Sequence, residues 1–385
     1  MKIAVFTDSY RPYRSGVVTS IETFKEELES LGHEIYVFAP AYPNQQKEDK
    51  VFRFPSVPAP TNKDFTLAVP FHPALKEILD SWRPDIIHVH SPFLLGSLGA
   101  RHARRMRVPL VFTFHTLYEE YVHYFPFAKK MARKVTRKLS KKFCNRCDLV
   151  VVPTKAIENY LFEIGVKAVI RVVPTGIKIE NFSSGDRDWL RRRYGIPERE
   201  KILLFVGRLG QEKNIGFLLE AFFKLLVFYP EATLVLVGGG PEEKTLRSLT
   251  ARVGYQNRVI FTGKIPKQEV PNFYAGADLF VFASVTETQG LVIAEAKAAG
   301  LPVVAVEAYG VKEMVVNGVD GFLTGLDREN FTAKILELLE NERLRLEFSR
   351  RAKINAVQFS SRNCAKKLLE GYEMILEKVK SERGR

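Results

Sequence analysis

The stretch "DLFVFASVTETQGLVIAEAKAAGLPVVAVE" (278–307) decides the fold. It opens on an apolar run rich in β-favouring residues, 278–284, as a buried strand does. The polar turn Thr288-Gln289-Gly290 follows, then a stretch that reads as a buried helix, then a second strand-like run, 302–307. Buried strands separated by helices make parallel sheets covered on both faces. The same alternation fills the chain. Strands are expected at 2–8, 34–40, 85–90, 109–115, 148–153 and 170–174, and again at 201–207, 232–239, 258–263, 278–284, 302–307 and 321–325. At 385 residues the chain is too long for one ordinary core, so two sets imply two Rossmann-like α/β domains. The turn-prone segment 173–188 is the natural join. The expected division is 1–175, 176–362 and a final helical segment, 363–385.

A hydrophobic content of 46% with 26% charged residues fits a soluble globular protein. No apolar run of about 18 residues marks a transmembrane helix, and "MKIAVFTDSY" reads as a strand and polar loop, without a signal-peptide core. Three cysteines suggest a reducing compartment, hence a cytoplasmic location. Cys144 and Cys147 form a CxxC with no second pair at zinc-ligand spacing, and it reads as incidental. The net charge of +14 is concentrated: residues 101–150 hold 13 Lys and Arg against three acidic residues.

Several loops at expected strand ends carry chemistry. In "FTDSYRPYRSGVVTSIETF" (6–24), Gly16 leads a helix and lets backbone approach a ligand, with helix-start amides suited to an anion. There is no GxGxxG fingerprint and no Walker A lysine, so neither a nicotinamide cofactor nor a P-loop is indicated. "FVGRLGQEKN" (205–214) places Arg208 and Lys213 just past a strand, where two cations suit a diphosphate; alone, the loop reads as a solvated surface. Glu287 and Glu295 flank the start of a helix near Gly290, whose unpaired N–H groups attract phosphate. Singly, Glu287 reads as a capping acid and Glu295 as an exposed helical glutamate. Together, a diphosphate site with a hydroxyl-binding carboxylate on each side describes a nucleotide sugar.

With these motifs the chain resembles the GT-B glycosyltransferases of the retaining group called family 4. The likeness rests on the E-x7-E pattern Glu287 to Glu295 and the "GRL…EKN" loop, and it spans nearly the whole chain. "FTDSYRPYRSGVVTSI", "HVHSPFLLGSLG" and above all "FTFHTLYEEYVHYF" look most like bacterial 1,2-diacylglycerol 3-alpha-glucosyltransferases. The resemblance implies two Rossmann-like domains with parallel sheets facing across a cleft. It implies retaining, metal-independent transfer of a hexose, taken as glucose from UDP-glucose, to a membrane lipid, taken as diacylglycerol, with no cofactor. By the same likeness Glu287 holds hydroxyls of the donor sugar, and the amides of Gly290 and Leu291 its distal phosphate. Arg208 and Lys213 neutralise the diphosphate, Glu295 takes the ribose and Ile265 meets the base through its backbone. Gly16 approaches the phosphate, and His115 touches the donor sugar near the reacting carbon. Tyr118, Tyr121, His123 and Tyr124 are expected on the acceptor side, although histidines and aromatics at a strand end also serve as core. The one Asp-x-Asp, 186–188, reads as the acidic start of a helix rather than a metal site.

"FAKKMARKVTRKLSKKFCNR" (127–146) accounts for the charge. Phe127, Met131, Val135, Leu139 and Phe143 form an apolar stripe. Lys129, Lys130, Arg133, Lys134, Arg137, Lys138, Lys141, Lys142 and Arg146 fill the other faces. The segment can lie on an anionic bilayer, or be an ordinary domain helix whose stripe packs on the sheet with its cations solvated. Both hold if the stripe faces the core and the basic face meets lipid headgroups, and peripheral attachment at the inner face of the cell membrane is expected. The rival readings are a soluble sugar, sugar-phosphate or other lipid acceptor, a basic nucleic-acid binder, for which no recognisable module is present, and a non-catalytic sugar-nucleotide binder.

Overall fold

The computed structural model describes residues 1–43, 45–60, 62–119 and 129–383. The chain forms two compact units, Met1–Gly176 together with Ser361–Arg385, and Ile177–Ser360.

The first unit carries β1 (Lys2–Phe6), β2 (Glu34–Pro40), β3 (Val51–Phe54), β4 (Ser56–Ala59), β5 (Asn62–Ala68), β6 (Ile86–Val89), β7 (Leu110–Thr113), β8 (Leu149–Val152) and β9 (Ile170–Val172). Seven of these form one sheet in the order β3-β2-β1-β6-β7-β8-β9, every pair parallel. The other two, β4 and β5, make a separate antiparallel hairpin. The second unit has β10 (Lys201–Val206), β11 (Ala232–Val237), β12 (Val259–Gly263), β13 (Leu279–Phe282), β14 (Val303–Val306) and β15 (Gly321–Thr324), ordered β12-β11-β10-β13-β14-β15 and again all parallel. That is the strand order of a dinucleotide-binding fold.

The inner strands β6, β7, β8, β11, β13 and β14 are buried at every residue, because helices cover both faces of each sheet. In the first unit alternate residues feed two cores. Phe6, Phe38, Val89 and Phe112 point to one, and Val5, Val37, Ile86 and Val111 to the other. The second of these cores also holds Val18, Ile21, Phe24 and Leu28 of the helix Gly16–Ser30, and Cys364, Leu368, Tyr372 and Ile375 of the last helix, Ser361–Arg383.

All twelve expected strands are present, most of them trimmed by a residue or two where loops begin. Three were not foreseen: β3, β4 and β5. Pro55, Pro58 and Pro60 punctuate that segment and read as breakers, but β3 is an edge strand and β4 lies in a hairpin outside the main sheet, where proline is tolerated.

Candidate functional site

Parallel sheets of this kind bind ligands beyond the carboxyl ends of their strands, where the strand order reverses. In the second unit that point lies between β10 and β13. After β10 the chain passes Gly207, Arg208 and a short 3-10 turn, Gln211–Lys213; after β13 it passes Ser284 and Glu287 to the helix Leu291–Ala299. The two loops meet. The Lys213 ammonium forms an ion pair with Glu287 Oε1, and the pair keeps about a fifth of its surface exposed. Ser284 Oγ lies 3.1 Å from the same carboxylate oxygen and 3.1 Å from the Glu212 carbonyl, stitching the loops together. Gly310 N donates to the Glu287 carbonyl at 3.0 Å, and a Cβ on Gly310 would fall 2.1 Å from the Thr288 carbonyl, so only glycine lets this third loop brace the second.

Gly290 caps the helix at φ +92, a conformation glycine alone adopts readily, and no side chain caps its amides. The N–H groups of Leu291 and Val292 therefore stay available to an anion, while Ile293 N donates to the Gly290 carbonyl at 2.9 Å. Arg208 is exposed and makes no side-chain hydrogen bond or ion pair among the described residues. Glu295 is not the exposed glutamate its position suggests. It is half-buried, Tyr274 Oη donates to its Oε2 at 2.7 Å, and burial raises its carboxyl above the ordinary value. Ile265 follows Gly263, the last residue of β12, and packs half-buried on the core edge.

In the first unit the order reverses between β1 and β6. Asp8, just past β1, accepts from Ser91 Oγ, just past β6, and from Leu95 N at 2.8 Å, so it caps the helix Leu94–Met106 from a neighbouring loop. Burial raises the Asp8 carboxyl, although both hydrogen bonds favour its ionised form. Beside it stand three histidines. His90 Nδ1 lies 2.8 Å from His115 Nε2; His88 Nδ1 lies 2.6 Å from Tyr372 Oη and its Nε2 lies 2.7 Å from Thr113 Oγ1. Burial pushes His88 and His115 down to about 3, so these rings are neutral. At Gly16 a Cβ would meet nothing, but Ser15 Oγ already accepts from Val18 N at 3.3 Å, so one amide of that helix start is occupied.

Tyr118 is half-buried and packs edge-on against the exposed Phe93 and the buried Phe114, with ring centroids 5.1 and 6.1 Å away. Tyr121, His123, Tyr124 and Phe127 lie outside the described residues.

The basic helix, Lys129–Cys144, departs from the reading in which its apolar stripe packs on the core. Its buried side is made of Ser140, Phe143 and Cys144, with Ala132 and Thr136 half-buried next to them. Met131, Val135 and Leu139 face outward, exposed at 68%, 50% and 53%. Small residues let this helix approach its unit closely, and three members of the stripe, Met131, Val135 and Leu139, point away while Phe143 is buried. Lys134, Lys138, Lys141 and Lys142 are exposed between and beside the stripe. Arg137 is not a free cation, because its guanidinium forms a forked pair with the buried Glu119 carboxylate. Lys129 and Lys130 lie in its first turn, and Arg146 is exposed just beyond it. Cys144 and Cys147 are buried, and burial lifts the Cys144 thiol to about 12. Asp186 accepts from Asp188 N and Trp189 N at 2.9 and 3.2 Å, ahead of the helix Trp189–Tyr194. Among the described residues no group of three His, Cys, Asp or Glu is placed to hold a metal ion, and no helix is long and apolar enough to cross a membrane.

The residues that the structure joins to the candidate sites and that were not singled out in the sequence are Asp8, Ser91, His88, His90, Tyr274, Ser284 and Tyr372. The "HVH" of 88–90 was a usable signal, since residues two apart on a strand share a face.

Residues 14–181 match the family described as Glycosyltransferase Family 4, and residues 186–355 match Glycosyl transferases group 1. The alpha-monoglucosyldiacylglycerol synthase of Streptococcus pneumoniae is 37% identical over 312 residues, covering 79% of this chain and 71% of that protein. The protein of that description from Acholeplasma laidlawii is 30% identical over 393 residues, 98% of each chain. Among solved structures, HepE of Anabaena in complex with UDP superposes with a TM-score of 0.78 at 22% identity, covering 97% of this chain and 100% of its own. The two parallel-sheet α/β units have the GT-B fold, and the family matches and the relatives make the chain a glycosyltransferase. The chain belongs to glycosyltransferase family 4.

Proposed function

We propose that this glycosyltransferase moves glucose from UDP-glucose to diacylglycerol at a membrane surface, with retention of configuration and without a metal ion. The observation that carries the donor half is the Lys213–Glu287 pair at the switch point, beside the uncapped helix start at Gly290. Breaking the anomeric bond leaves a diphosphate anion and an oxocarbenium-like sugar. Arg208, Lys213 and the amides of Gly290 and Leu291 stabilise the first as its charge develops. Because Glu287 already holds the Lys213 ammonium, that cation needs no reorganisation at the moment of reaction. Glu287 also takes hydroxyls of the sugar, Glu295 those of the ribose, and Ile265 meets the base through its backbone. Gly16 lets backbone approach the phosphate, and His115, neutral, meets the sugar near the reacting carbon. The departing phosphate receives the acceptor proton in a front-face attack, so no separate general base is required.

The acceptor rests on two supports: the relatives named as glucosyldiacylglycerol synthases, and the outward stripe Met131, Val135 and Leu139 among lysines. A surface of that composition lies on anionic lipid and keeps the enzyme at a substrate that cannot leave the bilayer, on the cytoplasmic face. A soluble acceptor would leave the stripe without a purpose, and a nucleic-acid site would not need it.

The test is a transfer assay in EDTA. UDP-, GDP- and ADP-sugars are offered with diacylglycerol in anionic or neutral vesicles and with soluble sugars. Glycolipid made from UDP-glucose, faster on anionic vesicles, is the expected product. Glu287→Ala should lower turnover at least ~100-fold while UDP affinity stays close to native. Transfer to soluble sugars alone sinks the acceptor, and an active Glu287→Ala protein removes that residue from the site.

A further inference from the structure

The first unit contains a chain of buried polar side chains that the proposed reaction leaves unexplained. Tyr372 comes from the last helix, His88 and His90 from the end of β6, and His115 from just past β7. We propose that His90 is a positioning residue that fixes the ring and tautomer of His115, and that Tyr372 and Thr113, through His88, hold His90 in its turn. The inference rests on the reading of His115 as a contact to the donor sugar.

Hydrogen-bond accounting carries it. The buried Tyr372 hydroxyl lies 2.6 Å from His88 Nδ1, and burial raises this phenol, so it keeps its proton. Thr113 Oγ1 lies 2.7 Å from His88 Nε2, so in either neutral tautomer one ring nitrogen donates and the other accepts. Both nitrogens of His88 are therefore committed, and the ring is pinned between two elements. His90 lies against it, with ring centroids 4.3 Å apart and planes tilted by 31°. His90 in turn faces His115, with centroids 5.1 Å apart, planes within 20°, and Nδ1 to Nε2 at 2.8 Å. Of two facing imidazole nitrogens, one must bear the proton and the other must be bare. The state of His90 Nδ1 thus dictates that of His115 Nε2, and with it whether His115 Nδ1 donates or accepts. Burial keeps both rings neutral, which removes the doubly protonated form that would blur the distinction. A sugar hydroxyl bound by a neutral imidazole needs that choice made in advance, and a swapped tautomer turns a donor into an acceptor at the same place. The last helix belongs to the first unit and reaches the end of this chain through one hydroxyl, so its seating bears on His115 without touching substrate.

The test uses the full chain. Imidazole nitrogens are observed by 15N NMR in the native protein, in His90→Leu and in His90→Asn, whose amide can replace a nitrogen at the Nδ1 position. Turnover is measured with UDP-glucose and vesicle-borne diacylglycerol. The expected native spectrum shows His90 Nδ1 and His115 Nε2 in opposite protonation states, without averaging. His90→Leu should average the His115 tautomers and lower kcat roughly 10- to 100-fold, with the donor KM within about twofold of native. His90→Asn should recover most of that loss, and Tyr372→Phe should show a smaller effect of the same kind. Averaged His115 tautomers in the native protein overturn the proposal even if His90→Leu fails to fold. A folded His90→Leu with native kcat or an unaltered His115 spectrum overturns it as well. His115→Ala with full turnover would sink the reading of His115 and with it the catalytic half of the proposal, while the spectra still decide whether His90 sets its tautomer.

Discussion

The outward stripe of the basic helix allows a sharp test, because folding and membrane binding predict opposite costs for the same substitutions. Lys134, Lys138 and Lys142 are exposed and have no ion-pair partner among the described residues. Near an anionic surface each contributes about 1 kcal/mol. Replacing all three by Gln should therefore weaken vesicle binding by about 3 kcal/mol, a factor of roughly one hundred or more. Most of that difference should vanish at high salt, where the Debye length falls to about 3 Å. Met131, Val135 and Leu139 are the complementary set. A side chain of this kind contributes about 1.5–3 kcal/mol when it is fully buried, so converting all three to Ser should cost several kcal/mol of binding that salt does not screen. In solution the same change should be almost free, because these side chains are already 68%, 50% and 53% exposed and surface substitutions stay within about ±0.5 kcal/mol. Cosedimentation with anionic and neutral vesicles at two salt concentrations, beside thermal melts, reads both quantities. A serine variant that binds like the native protein, or that melts many degrees lower, refutes the reasoning, the second by showing that the stripe is a packing face.

Lys297 and Asp320 form an ion pair that is at most 1% exposed, with Lys297 Nζ also 2.8 Å from the Met314 carbonyl and Asp320 accepting from Val316 N and Asn355 Nδ2. Asp320→Ala strands a buried ammonium and should cost about 3–5 kcal/mol in urea unfolding; a cost below 1 kcal/mol would mean that water reaches the pair. Burial holds His88 and His115 at about 3, against about 6.5 in the unfolded chain. As pH falls below 6.5 the unfolded chain takes up protons that the folded one does not, so each ring lowers stability by about 2 kcal/mol between pH 7 and 5. Asp8 and Glu295, raised by burial, act in the opposite sense, adding stability as pH falls through their folded values. The clean reading is therefore by NMR: the C–H resonances of both imidazoles should not titrate between pH 7 and 5, and a midpoint near 6.5 would show that the rings are hydrated.

Twelve of the thirteen strands of the two main sheets were legible because inner parallel strands are largely apolar, a signal that needs no partner to be read. Glu287, Lys213 and Gly290 stood out for a similar reason, as charge and glycine at the edge of an apolar run. The orientation of the basic helix was not legible. Five apolar residues at helical spacing satisfy a core and a bilayer equally, and the choice was made by Ala132, Thr136, Ser140 and Cys144, small residues that pack close and attract no notice in a sequence. Nor could spacing reveal Tyr372 beside His88, a contact between residues 284 positions apart. The prolines of 55–60 hid three strands because their cost depends on whether a strand is central or at an edge, which only the sheet order decides.

Both units put a side-chain pair where their strand order reverses, yet the pairs differ in kind. In the second unit the pair is Lys213 with Glu287, charged and partly open to water, beside the exposed Arg208 and an uncapped helix start. In the first it is Asp8 with Ser91, and the rings beyond are neutral histidines kept neutral by burial. The difference matches what the proposed transfer from a nucleotide sugar would ask of the two groups of residues. A leaving diphosphate gains charge as the bond breaks, so fixed cations and helix amides lower the barrier where that charge appears. The sugar becomes cation-like at the same moment, and a protonated histidine near the reacting carbon would oppose it. Neutral rings can still orient hydroxyls, provided that their tautomers are fixed. Sinking His88 and His90 into the first unit's core satisfies both demands at once. It holds the charge near His115 at zero and leaves hydrogen-bond direction as the property the fold must control.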